Sequence, residues 1–248
     1  MKSAKLLTIK KKHSGRDSAG HVSIRHRGGE HKRFLRQIDW RRPHIGISAT
    51  VTAIEYDPNR TVRIALLSYQ NGSKSYILAP TGLNVGDIVI NSPSASIKNG
   101  NRLPLQNIPV GVPIHCLELF PGKGAQIVKS AGCAAYLQSV DGNKAIVKLP
   151  STELRLFSAT CQATIGQLGQ EQHSSVKLTK AGDSRHQGIR PSVRGVAQNP
   201  HSHPHGGGEG RSSVGMNPKT PWGRPAMGKR TRKLKKASNR LIISRRKK

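Results

Sequence analysis

The run I-S-A-T-V-T-A-I-E-Y-D-P-N-R-T-V-R-I-A-L-L-S-Y-Q-N-G-S-K-S-Y-I-L-A, residues 47–79, decides the fold. It holds three short stretches rich in β-branched and aromatic residues, 47–56, 61–69 and 75–79, divided by turn signals. Asp57-Pro58-Asn59 initiates a turn, because Asp and Asn side chains bond nearby backbone and Pro58 presets φ. Asn71-Gly72 is the leading two-residue hairpin signal, since both residues tolerate positive φ. A further strand is expected at 87–91 after Gly82 and Gly86, and Asn99-Gly100-Asn101 ends the series. Four to five short strands at this spacing predict a small closed barrel of the OB type.

Beyond a proline-spaced connection at 103–113, strand-like runs resume at 114–120, 126–130, 133–140, 144–149 and 154–160. Pro121-Gly122-Lys123-Gly124 and Asp141-Gly142-Asn143 supply turns between them, and a second barrel, SH3-like, is expected. A content of 34% hydrophobic and 4% aromatic residues suits two small cores better than one large one. The chain therefore reads as mainly β, an OB-fold barrel followed by an SH3-like barrel, with extended basic N- and C-terminal arms. The expected division is an arm at 1–42, a first barrel at 43–102, a second at 103–180 and an arm at 181–248, with one short helix at 174–182.

Charge follows this division. The chain carries 42 Lys and Arg against 12 Asp and Glu, a net +30. Residues 1–42 hold 13 basic and 3 acidic side chains, 43–180 hold 12 and 7, and 181–248 hold 17 and 2. The excess sits at the ends, which points to a polyanionic partner. The apolar run at 6–9 is too short for a signal peptide or a membrane span, so a soluble chain with no membrane partner and no removed leader is expected. Cys116, Cys133 and Cys161 are odd in number and widely spaced, which fits buried free thiols in a reducing compartment rather than disulfides or a C-x-x-C zinc site. Gly122-Lys123-Gly124 lacks the G-x-x-x-x-G-K-[ST] pattern of a nucleotide loop, and Lys123 and Lys129 read as cationic loop contacts.

Two basic stretches carry candidate contacts. Arg25-His26-Arg27-Gly28-Gly29-Glu30-His31-Lys32-Arg33, preceded by Arg16, sets bidentate guanidinium groups around a glycine pair that allows close backbone approach. Near the other end, Arg190 and Arg194 precede N-P-H-S-H-P-H-G-G-G-E-G-R at 199–211, a segment with little to bury that reads as a nucleic-acid-facing loop. There His203, His205, Gly206, Gly207, Gly208 and Arg211 are the candidates. On an extended backbone His201, His203 and His205 would project to one side and could ligate zinc, yet only Glu209 offers carboxylate company. His203 as a general acid or base lacks a neighbouring nucleophile or orienting carboxylate. Trp222 is either a base-stacking platform or a hydrophobic plug, and Trp40 reads as the first core residue of barrel one. The run 229–248 reads as an extended arm along phosphates. A DNA-compacting protein and a zinc-dependent hydrolase are the rival classes.

Several motifs, in order, carry a resemblance: Gly15-Arg16 with 25–32, Glu55-Tyr56-Asp57-Pro58-Asn59-Arg60, Tyr76-Ile77-Leu78-Ala79-Pro80, Asn107-Ile108-Pro109-Val110-Gly111, Pro121-Gly122-Lys123-Gly124 with Ser130-Ala131-Gly132, 188–195, 199–211, and Thr220-Pro221-Trp222-Gly223. Together they resemble the universal large-ribosomal-subunit protein L-two family, in its bacterial and organellar form, over residues 14–248. The resemblance implies an OB-fold and an SH3-like barrel whose ends reach into large-subunit rRNA, with Arg60 among the RNA contacts. It implies a structural constituent that holds rRNA near the peptidyl transferase centre and supports association with the small subunit during translation. No catalysis falls to the protein, and no cofactor is implied beyond magnesium accompanying the rRNA. Neighbouring ribosomal proteins and the small subunit are the further partners. An rRNA-positioning role transfers to His203, His205, Gly206 to Gly208 and Arg211. The sequence departs from the family pattern at Glu30 for a glycine, Gln162 for an arginine, Gln187 near a tryptophan and Ser202 for an acidic residue. It also lacks the opening stretch typical of bacterial members. That shortening suggests a mitochondrial ribosome in the matrix, with plastid stroma or bacterial cytoplasm as alternatives.

Overall fold

The computed structural model describes residues 6–246, so residues 1–5 and 247–248 of the expected arms lie outside the described residues. Contacts divide the chain into two units. The first comprises residues 6–10, Lys32–Lys177 and 240–246, and the second Lys11–His31 with Leu178–Asn239.

In the first unit, β3 (Ala49–Glu55), β4 (Ile64–Tyr69), β5 (Lys74–Leu78) and β6 (Ile88–Val89) form one antiparallel sheet in the order β5-β4-β3-β6. Alternation decides which faces are buried. Ala65, Leu67, Tyr69 and Ile77 enter the barrel core with Val51, Leu83 and Val89. Ile64, Leu66, Tyr76 and Leu78 point the other way, into a second cluster with Cys116, Ala125 and Leu168. The continuous run Ile64-Ala65-Leu66-Leu67 is thus apolar because both faces of β4 are covered, each large side chain contributing about 1.5–3 kcal/mol. A bulge lies between Val51 and Ala53 in β3. The extra residue flips the alternation, so that Val51 faces the barrel core while Ala53 packs on the opposite cluster.

Parallel bridges from Asn91 to Ile45 and to Arg102 pass the chain to the second sheet. That sheet runs β15-β13-β12-β11-β8-β14-β7, built from β7 (Arg102–Pro104), β8 (Pro113–His115), β11 (Ala135–Asp141), β12 (Lys144–Lys148), β13 (Leu154–Ser158), β14 (Gln162–Ile165) and β15 (Ile242–Ser244). It curls around Leu103, Ile114, Leu137, Val147, Phe157 and Ile165. A ribbon of β9 (Leu117–Glu118) and β10 (Ala125–Ile127) accompanies it. The architecture is mainly β, consistent with an OB-fold and an SH3-like barrel.

Several local expectations change. Asn71-Gly72 is not a two-residue hairpin loop. Gly72 N–H bonds Tyr69 O at 2.9 Å with Gly72 at φ +77°, which is a longer turn closed by a left-handed glycine. The expected helix at 174–182 is displaced: a 3-10 turn covers Glu171–Ser175, and α1 runs Ala181–His186. Asp183 Oδ2 accepts from Lys180 N–H at 3.3 Å and from the Thr179 hydroxyl at 3.1 Å, which sets the helix start after Lys180. The ends are also less arm-like than the charge suggested. β1 (Leu7–Ile9) pairs with β2 (Phe34–Arg36), and β15 adds to the edge of β13, with Leu154 opposite Ser244 and Arg155 opposite Ile242. Residues 32–42 and 240–246 therefore belong with the barrels. Trp40 packs half-buried against the cluster between the barrels rather than inside barrel one. Cys116 and Cys161 are buried and Cys133 is half-buried, all three free. Burial pushes the Cys116 and Cys161 thiols up to about 11, which removes thiolate reactivity.

Candidate nucleic-acid interface

The second unit carries 18 Lys and Arg against 4 Asp and Glu, so its charge faces little internal compensation. It is assembled from both ends of the chain. Gly28 N–H donates to Gly188 O at 2.9 Å, Arg190 N–H to His26 O at 3.0 Å and His31 N–H to His186 O at 3.1 Å. Arg27 and Ile189 form the bridge between them. Arg185 spans the two segments: its guanidinium donates to Ile189 O at 3.0 Å and lies 3.1 Å from where a Cβ on Gly29 would stand. Gly28 itself is buried against Ser14, at φ +130°. Gly29 has φ +74°, so both positions of the pair take a backbone conformation that favours glycine. Arg25, Arg27, Arg190, Arg194 and Arg211 are exposed, and among the described residues none has a carboxylate partner within ion-pair distance. Arg16 is exposed as well and donates to Gly20 O at 2.9 Å.

The glycine and histidine loop folds on itself. Ser202 and His203 N–H groups bond Asn199 O at 2.8 and 3.2 Å, and Gly206 N–H bonds His203 O at 2.9 Å. This is turn backbone, not the extended conformation that would align three imidazoles. His203 is 7% exposed, while His201 is exposed. His203 Nδ1 accepts from His205 N–H at 3.1 Å, and His205 Nε2 accepts from Lys219 N–H at 2.9 Å. Each accepting nitrogen is thereby committed to backbone, and each ring carries its proton on the other nitrogen. Among the described residues no three His, Cys, Asp or Glu side chains are placed to hold a metal ion. The glycines answer to the same packing. A Cβ on Gly206 would strike the Gln198 carbonyl, one on Gly207 (φ +94°) would meet Pro200 Cγ at 2.8 Å, and one on Gly208 (φ +88°) would strike the Ser212 side chain. Gly195 makes room for the His203 ring, whose Cε1 would lie 2.6 Å from an added Cβ.

Trp222 sits on a tight turn. Gly223 N–H bonds Thr220 O at 2.9 Å, Thr220 N–H bonds Arg224 O at 2.7 Å, and Lys219 bridges Pro225. The indole is 71% exposed, with Arg25 Cζ 5.1 Å from its ring centroid. The arrangement joins Arg25, Trp222 and the His203–His205 loop into one basic surface.

Two family models match the chain: Ribosomal Proteins L2, RNA binding N-terminal domain, over residues 3–91, and Ribosomal Proteins L2, C-terminal domain, over residues 98–223. The chain belongs to the ribosomal L2 family. It is accordingly a structural, RNA-binding protein of the large ribosomal subunit and not an enzyme.

The remaining candidates of this L2 chain lie in the first unit, around a buried polar seam between the barrels. Glu118, 1% exposed, accepts from Arg102 at 2.7 Å, from Gly124 N–H at 3.0 Å, from Gln162 N–H at 3.1 Å and from Gly122 N–H at 3.2 Å. It thereby fixes the Pro121-Gly124 loop that carries exposed Lys123. Arg102 also donates to Gln162 Oε1 at 2.7 Å and Trp40 O at 2.8 Å. Burial lowers the Arg102 guanidinium from its ordinary value, and Glu118 offsets that in part. Buried Arg42 donates to Gly100 O at 2.7 Å, and burial lowers it to about 10. Gln162 serves this seam through its side chain and its N–H.

Lys129 and Arg60 both approach the Trp40 ring, at 4.4 and 5.2 Å from its centroid. Arg60 Nε also lies 3.1 Å from buried Asp57 Oδ2, an ion pair rather than an aligned hydrogen bond. Arg33 donates to Pro58 O at 2.8 Å, and Lys32 is exposed. Sequence reasoning missed Arg185, Glu118 and Arg102. Nothing in their spacing announces them, because each has a partner distant in sequence: Gly28 for Arg185, Gln162 for Glu118, and Trp40 and Gln162 for Arg102.

Proposed function

We propose that this chain binds large-subunit rRNA through the surface formed by its two basic ends, holds that RNA near the peptidyl transferase centre and supports association with the small subunit. The observation that carries this reading is the interleaving of 26–31 with 186–190. It sets Arg25, Arg27, Arg190 and Arg194 on one framework without internal counter-charges. Such a surface gains most of its affinity by displacing phosphate counterions, and rigid glycine-dependent turns add shape selection to it. Arg16, Lys32, Arg33, Arg60, Lys123 and Lys129 contribute phosphate contacts, and His203, His205 and Arg211 position RNA. Neighbouring ribosomal proteins complete its surroundings. The compartment we assign to it is the mitochondrial matrix, with plastid stroma or bacterial cytoplasm as the alternatives.

The test is omission reconstitution. Large-subunit particles assembled without the chain should fail to form peptide bonds and to join small subunits, and adding it back should restore both. Full activity of particles lacking the chain contradicts the proposal.

A further inference from the structure

We propose that Trp222 is a stacking shelf for one unpaired nucleobase of RNA, with the Arg25 guanidinium backing one face of the indole and the base taking the other. This rests on the RNA-binding reading above and adds the kind of group recognised. Three observations carry it. A hydrophobic plug would be covered, whereas Trp222 is 71% exposed; Trp40 is the half-buried indole of this chain. The turn that carries the ring is fixed, by the bonds between Thr220, Gly223 and Arg224 and by the Lys219 N–H to His205 Nε2 at 2.9 Å. The backbone position of Trp222 is thus set before any ligand arrives. Finally, Arg25 lies 5.1 Å from the ring centroid, and Lys219 and Arg224 flank the turn. A cation against one face and further cations around the rim suit an aromatic ligand tied to phosphates better than an apolar protein surface.

A duplex keeps its bases stacked on one another, so the shelf distinguishes single-stranded from paired RNA. Trp40→Phe leaves Trp222 as the one indole. This full-length variant is titrated with a fluorescently tagged oligoadenylate and with a duplex RNA of equal length, following indole emission and, separately, anisotropy of the tag. The expected result is quenching by the oligoadenylate at saturation and little by the duplex. In the otherwise native chain, Trp222→Leu should bind the oligoadenylate about tenfold more weakly, with duplex affinity and the salt slope unchanged, and Trp222→Phe should retain most of the affinity. RNA binding by anisotropy without selective quenching, or a Trp222→Leu chain with native affinity, overturns the shelf while leaving the RNA-binding reading standing. Absence of any RNA binding overturns both.

Discussion

Lys219 N–H donates to His205 Nε2 at 2.9 Å, so a histidine of the glycine-rich loop anchors the turn that presents Trp222. Two motifs separated in sequence act as one piece of surface because of that bond.

Replacing His205 with Ala removes the acceptor, and a net contribution of about 0.5–1.5 kcal/mol is lost locally. Hydrogen exchange at Lys219 and at the turn following it should accelerate severalfold, while the melting temperature of the barrels stays unchanged. Native protection at Lys219 would contradict the anchoring role.

Gly195→Ala places a methyl group 2.6 Å from His203 Cε1, so the ring must leave its buried site. Modification of His203 by an acylating reagent, slow in the native chain at 7% exposure, should become as fast as that of exposed His201. An unchanged rate would mean that the loop accommodates the methyl group elsewhere.

Glu118→Gln leaves the buried Arg102 guanidinium without its counter-charge. Breaking a buried pair on one side costs about 3–5 kcal/mol, and a chain of this size should lose about 10 °C in melting temperature. Calorimetry decides, and a loss below about 2 °C would show that the carboxylate is not what holds the seam together.

His115 is fully enclosed, donates from Nδ1 to Gly166 O at 2.8 Å, and is held down to about 4 by burial and by the neighbouring Arg42 and Arg102 charges. Its folded value lies below the ordinary 6.5, so between the two the unfolded chain binds the additional proton. The stabilisation is fully present above pH 6.5 and falls as pH drops towards 4, by about 3 kcal/mol in total. His115→Asn, which keeps a donor near Gly166 O, should flatten this part of the stability profile in denaturant titrations. A slope identical to that of the native chain would place the titration on another group.

The barrels were legible because β-branched runs and turn residues are local signals, whereas the covering of both faces of 64–67 emerges only from the two clusters on either side of it. The bulge at Val51 to Ala53 was not, since nothing in Thr50-Val51-Thr52-Ala53 breaks the alternation. The basic ends misled for a related reason. Charge predicts an arm, but β1 and β15 form by pairing with strands far along the chain, and 26–31 meets 186–190 across more than half the sequence. The site shared that fate: Arg25 and Trp222 were each visible as candidates, whereas their stacking, and the commitment of both histidines to backbone donors, depends on contacts that no spacing encodes. Gly206 to Gly208 were candidates for positioning RNA, and their close neighbours are Gln198, Asn199, Pro200 and Ser212 of the same loop.

We propose that this basic surface recognises large-subunit rRNA by shape and not by charge alone. Its most direct test is binding of labelled large-subunit rRNA fragments against excess generic duplex DNA at two salt concentrations, with native protein and His203→Ala. The account predicts that native binding weakens with salt yet survives the competitor at the higher concentration, and that His203→Ala loses this resistance. Equal displacement by any duplex, with native and His203→Ala chains alike, would contradict it and leave the net charge as the whole of the interaction.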